Sequence, residues 1–105
     1  MNEIREIDVD ELASLLDQGA VLVDVRGPTE FEQARVPGAV LVPLASVPDQ
    51  LDQFSTDDTT YVICRSGARS MNACRFLAAQ GREAVNVAGG MLAWINSGRP
   101  VDGGA

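Results

Sequence analysis

The chain has 105 residues and a formal net charge of −7, with 15 acidic side chains against 8 arginines, and it has neither lysine nor histidine. Hydrophobic residues make up 46% and charged residues 22%, which suits one globular domain with a single core. The missing histidine excludes a Cys–His catalytic pair and a histidine metal site, the missing lysine excludes Schiff-base chemistry, and the acidity argues against non-specific nucleic-acid binding.

Residues 4–7 fit a short first strand. Asp8 with Glu11 three positions on reads as a capping box. Leu12, Leu15 and Leu16 then form an apolar helix face, and Gly19 ends that helix. Val21, Leu22 and Val23 make a continuous apolar run, as in a strand covered on both faces. Asp24, Val25, Arg26 and Gly27 follow. Pro28 suits the first turn of a short helix through about Gln33, with Glu30 and Glu32 near its positive end. Arg26 and Glu30 are expected to form a structural ion pair. Val36, Pro37, Gly38 and Ala39 read as a turn, and residues 40–42 as a third strand. Leu44, Val47, Leu51 and Phe54 have helical spacing, with Pro48 expected to confine that helix to the residues after it. Residues 55–59 are a polar connection.

Tyr61, Val62 and Ile63 have the β-branched and aromatic character of a buried strand. Ala73, Phe76, Leu77 and Ala78 return at helical spacing, and that helix stops at Gly81. Between the two lie Cys64 and a tight loop containing Ser66 and Gly67. Successive backbone N–H groups at a helix N-terminus make an anion site, and here a thiol sits at its rim. Residues 59–82 hold four arginines and no carboxylate, an electropositive island in an acidic chain. A cysteine at a helix N-terminus beside arginine has its pKa lowered from ~8.5 to roughly 3.5–7.5. The plain alternative is a small buried hydrophobe at a strand end. The Gly-containing loop, Arg65 and Arg69 favour a reactive thiol.

Residues 84–87 are a further strand, followed by Gly89 and Gly90. A short helix with Leu92, Trp94 and Ile95 ends near Gly98, with Trp94 expected in the core. Residues 102–105 are expected to be a loose tail. Strands alternating with helices argue for an α/β sandwich with a mostly parallel sheet, whose chemistry lies beyond the carboxyl ends of the strands. Asp24 to Arg26 and Cys64 both fall there. No apolar run nears the ~20 residues that span a bilayer, and the first residues lack a secretory signal pattern, so a cytoplasmic protein without a membrane segment is expected. Two cysteines in that compartment read as one catalytic and one structural rather than a disulfide.

Five pieces in register now resemble the single-domain rhodanese-like sulfurtransferases. They are Val21-Leu22-Val23-Asp24-Val25-Arg26 with Glu30 and Phe31; Val36-Pro37-Gly38-Ala39; Cys64-Arg65-Ser66-Gly67-Ala68-Arg69-Ser70; Gly89-Gly90 with Trp94; and Gly98-Arg99-Pro100-Val101. They run through about residues 4–101 of a single domain covering the chain. The resemblance implies a three-layer α/β sandwich with a five-stranded, mostly parallel sheet flanked by helices. It implies that Cys64 takes a sulfane sulfur from a small anionic donor such as thiosulfate, holds it as a persulfide and passes it to cyanide or to a small or protein thiol. Backbone N–H groups of Arg65, Ser66, Gly67, Ala68 and Arg69 would cradle that sulfur, and the arginines would help bind the donor. Asp24, Arg26 and Ser70 would support the loop. No metal and no cofactor beyond the covalent persulfide are implied. The chain departs from the family pattern at Arg35, where a histidine is usual.

Exchange at sulfur needs a thiolate and an anion pocket but no tetrahedral carbonyl intermediate, so no triad is required. One rival is a Cys-dependent phosphatase or arsenate reductase. Those sites place arginine six positions after the cysteine, whereas Arg69 is five positions after Cys64, a ring too small for tetrahedral phosphate. The other rival is a persulfide carrier or regulatory module that serves a partner without turning over. Cys74, on the following helix, reads as a buried structural thiol rather than a resolving one.

Overall fold

The protein is seen in a computed structural model that describes residues 3–104. Strands and helices alternate: β1 (Glu6–Ile7), α1 (Val9–Asp17), β2 (Val21–Asp24), α2 (Pro28–Gln33), β3 (Val40–Leu41), a 3-10 segment (Leu44–Gln53), β4 (Thr60–Ile63), α3 (Ala68–Ala79), β5 (Ala84–Val87) and α4 (Gly90–Asn96). The sheet order is β1-β5-β4-β2-β3, and each pairing is parallel. This is the expected α/β fold, with β4 at the centre of the sheet.

The period-2 alternation of β4 divides the core. Tyr61 and Ile63 join Leu12, Leu22, Val87 and Trp94 on the α1 and α4 face. Val62 and Cys64 join Val23, Phe54, Ala73, Cys74 and Leu77 on the α3 and 3-10 face. A sheet buried on both faces needs continuous apolar strands, and β4 and β5 are buried at every position. Among the described residues, no helix is long and apolar enough to cross a membrane.

Local signals act where they were read. Asp8 caps α1, its Oδ1 accepting from the Glu11 N–H at 2.8 Å. Pro28 opens α2 at the predicted residue. Trp94 is buried, and its indole N–H donates to the Pro100 carbonyl at 2.9 Å.

Two expectations are corrected. Helical turns begin at Leu44, before Pro48, and break at Gln50 (φ −125°, ψ 35°). Turns bonded from i to i+3 close within four residues, so one fits ahead of the proline. The end of the chain is also not loose as far as it is described. Arg35 and Asp102 exchange two backbone hydrogen bonds of 2.9 Å, and the Gly104 N–H donates to the Glu32 carbonyl at 3.0 Å. Backbone pairing with the end of α2 holds this segment even though its side chains are exposed.

Candidate active site

Cys64 follows directly on β4, and strand alternation turns its side chain toward α3, where it is 1% exposed. The chain then reverses through Gly67, whose φ of +107° suits glycine, and enters α3. The Cys64 Sγ accepts hydrogen bonds from the Gly67 N–H at 3.1 Å and from the Ser70 hydroxyl at 3.2 Å. Ser70 lies in the first turn of α3 and is fully buried.

The start of α4 shapes the loop from the other side. The Met91 N–H donates to the Cys64 carbonyl at 2.9 Å, and the Leu92 N–H donates to the Arg65 carbonyl at 3.0 Å. These bonds draw the loop's first carbonyls toward α4 and leave the following N–H groups for the sulfur. A Cβ at Gly90 would lie 2.4 Å from the Cys64 carbonyl oxygen, so this contact requires glycine.

Burial pushes the Cys64 thiol pKa up. The Ser70 hydroxyl and the N–H groups of Ser70, Gly67 and Ser66 outweigh that and bring it below its ordinary value. Cys74 behaves oppositely. Burial, with the charges of Glu6 and Cys64, pushes its thiol up to about 12, so it stays protonated. Both cysteines are free thiols, and Cys74 is fully buried against the core.

The arginines are arranged differently from expectation. Arg26 does not pair with Glu30. It forks onto Asp24, with Nε 3.0 Å from both carboxylate oxygens and Nη2 2.7 Å from Oδ2. Both are buried, and Arg26 Nη2 also donates to the Ala34 carbonyl at 2.6 Å. Asp24 and Arg26 thus anchor the end of α2, and neither makes a side-chain hydrogen bond to the Cys64 loop among the described residues. Glu30, on α2, instead takes the fork of Arg69 at 2.8 and 3.0 Å. Arg65, Ser66 and Ala68 are exposed, and among the described residues Arg65 makes no ion pair. Arg35, at the departure from the family pattern, donates to the Phe31 carbonyl and stacks over the Phe31 ring.

A Rhodanese-like domain profile matches residues 8–97. The chain belongs to the rhodanese-like domain family. A putative sulfurtransferase of Bacillus subtilis, YtwF, is 38% identical over 100 residues, covering 93% of this chain and 97% of its own. The thiosulfate sulfurtransferase GlpE of Pseudomonas syringae is 35% identical, covering 90% of each chain. A solved rhodanese-like domain protein of Staphylococcus aureus superposes with a TM-score of 0.88 at 35% identity, covering 97% of this chain and 100% of its own.

In this rhodanese-like domain one further residue, Asn86, holds the loop, and it was not among the expected site residues. Asn86 is fully buried in β5, and its Nδ2 donates to the Gly67 carbonyl at 3.1 Å and to Glu6 at 2.8 Å. A lone polar residue in an apolar strand signals such partners. Glu30 was expected to pair with Arg26; its actual partner, Arg69, lies 39 residues away, beyond what local spacing shows.

The hydrogen bonds to Sγ give a pH-dependent expectation. The thiolate is the nucleophile, so alkylation speeds up as pH rises through the Cys64 pKa. In a Cys74→Ala background the midpoint should fall below the ~8.5 of a free thiol. Adding Ser70→Ala removes the hydroxyl donor and should move the midpoint up toward that value. An unchanged midpoint would mean that the backbone N–H groups suffice alone.

Proposed function

We propose that this domain is a sulfurtransferase that works through a persulfide on Cys64. The observation that carries the reading is the buried Cys64 sulfur receiving hydrogen bonds from Gly67 and Ser70 at the start of α3. In the first step the thiolate attacks the outer sulfur of a donor. With thiosulfate, a bond forms between Cys64 Sγ and that sulfur, the donor's S–S bond breaks, and sulfite leaves with the electron pair. In the second step an acceptor attacks the outer sulfur, and the Cys64 thiolate departs with the pair. Cyanide would give thiocyanate, and a thiolate would give its own persulfide.

The donors around the loop fit both ends of this cycle. They stabilise negative charge on Sγ before attack, and neighbouring N–H groups can bind the terminal sulfur of the persulfide without reorganising. The family relationship and the sulfurtransferase names of the relatives support the same reading. A free, activated thiol also suits a reducing compartment, so the work is assigned to the cytoplasm, with a small thiol or a thiol-bearing protein as acceptor. Steady-state thiocyanate production from thiosulfate and cyanide tests the enzymatic reading. Many turnovers per protein are expected. Loading of one sulfur without turnover would instead indicate a carrier.

A further inference from the structure

The sequence offers the Cys64 loop two arginines for an anionic donor, but one is already occupied. Arg69 gives both terminal nitrogens to the two Glu30 oxygens, at 2.8 and 3.0 Å. Glu30 is itself held in place by the Gly27 N–H at 3.2 Å, at the start of α2. The Arg69 guanidinium holds the Glu30 carboxyl down at about 2, against burial and with help from the Gly27 N–H. The carboxylate therefore stays charged at neutral pH. Arg69 lies in the first turn of α3, next to Ser70, whose hydroxyl donates to the Cys64 Sγ at 3.2 Å, so its Glu30 partner bears on the same site.

The consequence is a difference between donor classes. A donor arriving at Cys64 meets a neutralised pair at Arg69, with Arg65 as the loop's remaining cation and a chain of net charge −7 behind it. Thiosulfate carries two negative charges within a few bonds of its reacting sulfur. To use Arg69 it must displace Glu30 and leave that carboxylate beside it. A thiol persulfide, R–S–SH, needs no such displacement. The Cys64 thiolate takes its outer sulfur with the attached proton, the R–S bond to that sulfur breaks, and the thiolate R–S⁻ leaves with the pair.

We propose that Glu30 is a specificity-determining residue, biasing the Cys64 site toward thiol persulfides and against small dianionic donors. This rests on the sulfurtransferase reading. The test is the second-order rate of sulfur loading on Cys64, followed by intact mass, with thiosulfate and with cysteine persulfide. Glu30→Gln should raise the thiosulfate rate roughly fivefold, the scale of one partly exposed ion pair, and leave the persulfide rate nearly unchanged. A purely structural role would lower both rates together, and that result would overturn the inference, as would no change in either. Wild-type protein supplies a check independent of any variant. Added salt should raise the ratio of thiosulfate to persulfide loading, because it screens the dianion more strongly. A falling ratio would overturn the inference alone. A wild-type Cys64 that accepts sulfur from neither donor would overturn the sulfurtransferase reading as well.

Discussion

Cys64→Ser is expected to fold and to transfer no sulfur. Serine differs from cysteine here by one atom, and its oxygen can accept from the same Gly67 N–H and Ser70 hydroxyl. The core around it, including Val62, Ala73 and Cys74, should stay packed. What disappears is the reactive atom, since a serine hydroxyl stays protonated at neutral pH and cannot form a persulfide. Thiocyanate production should drop to background while thermal unfolding stays close to wild type. Cys74→Ala is the matched control. That thiol is fully buried and held protonated, so its removal should leave most of the activity. An active Cys64→Ser protein would end the account. A folded but inactive Cys74→Ala protein would instead make Cys74 a working thiol.

Lengthening the loop by one residue should be nearly as damaging. Gly67 occupies a fixed place: its N–H reaches Cys64 Sγ, and its carbonyl accepts from Asn86 and from the Met71 N–H. Ser70 reaches the same sulfur from the next turn. A glycine inserted between Gly67 and Ala68 cannot preserve both sets of bonds, because one side of the ring must shift relative to the other. Preorganised donors act only when aimed at the developing charge, and displacing one costs ~10²–10³ in rate. The insertion should therefore lower sulfur transfer by about that factor while circular dichroism shows the fold retained. The six residues from Cys64 to Arg69 should also leave wild type without hydrolysis of an aryl phosphate. Sulfur transfer at the wild-type rate by the longer loop would remove loop size as the discriminator.

Much of this was legible because the deciding physics is local. Pro28 suits a helix start, with its φ already helical and no N–H to leave unpaired, and α2 starts there. Tyr61 to Ile63 have the β-branched and aromatic character of a buried strand, and Cys64 follows at its carboxyl end. The partners of the charges were not legible. Arg26 and Glu30 stand four apart, the spacing of a helical pair, but Arg26 precedes α2 and turns back onto Asp24. Arg69 and Glu30 meet only because the sheet order sets β4 beside β2, bringing the segments that follow the two strands together. The same limit applies to thiol activation. The sequence pointed to backbone N–H groups and to arginine; the folded loop delivers those N–H groups to the sulfur, with a buried hydroxyl in place of arginine. The requirement for glycine at position 90 is likewise tertiary, since the atoms it avoids belong to Cys64 and Arg65.

In this mechanism Cys64 carries the sulfur. Intact mass after incubation with excess thiosulfate, followed by mapping of the modified peptide, tests it most directly. A gain of one sulfur atom is expected, located on Cys64, removed by cyanide and absent from Cys64→Ser. No gain, or a gain located on Cys74, would contradict it.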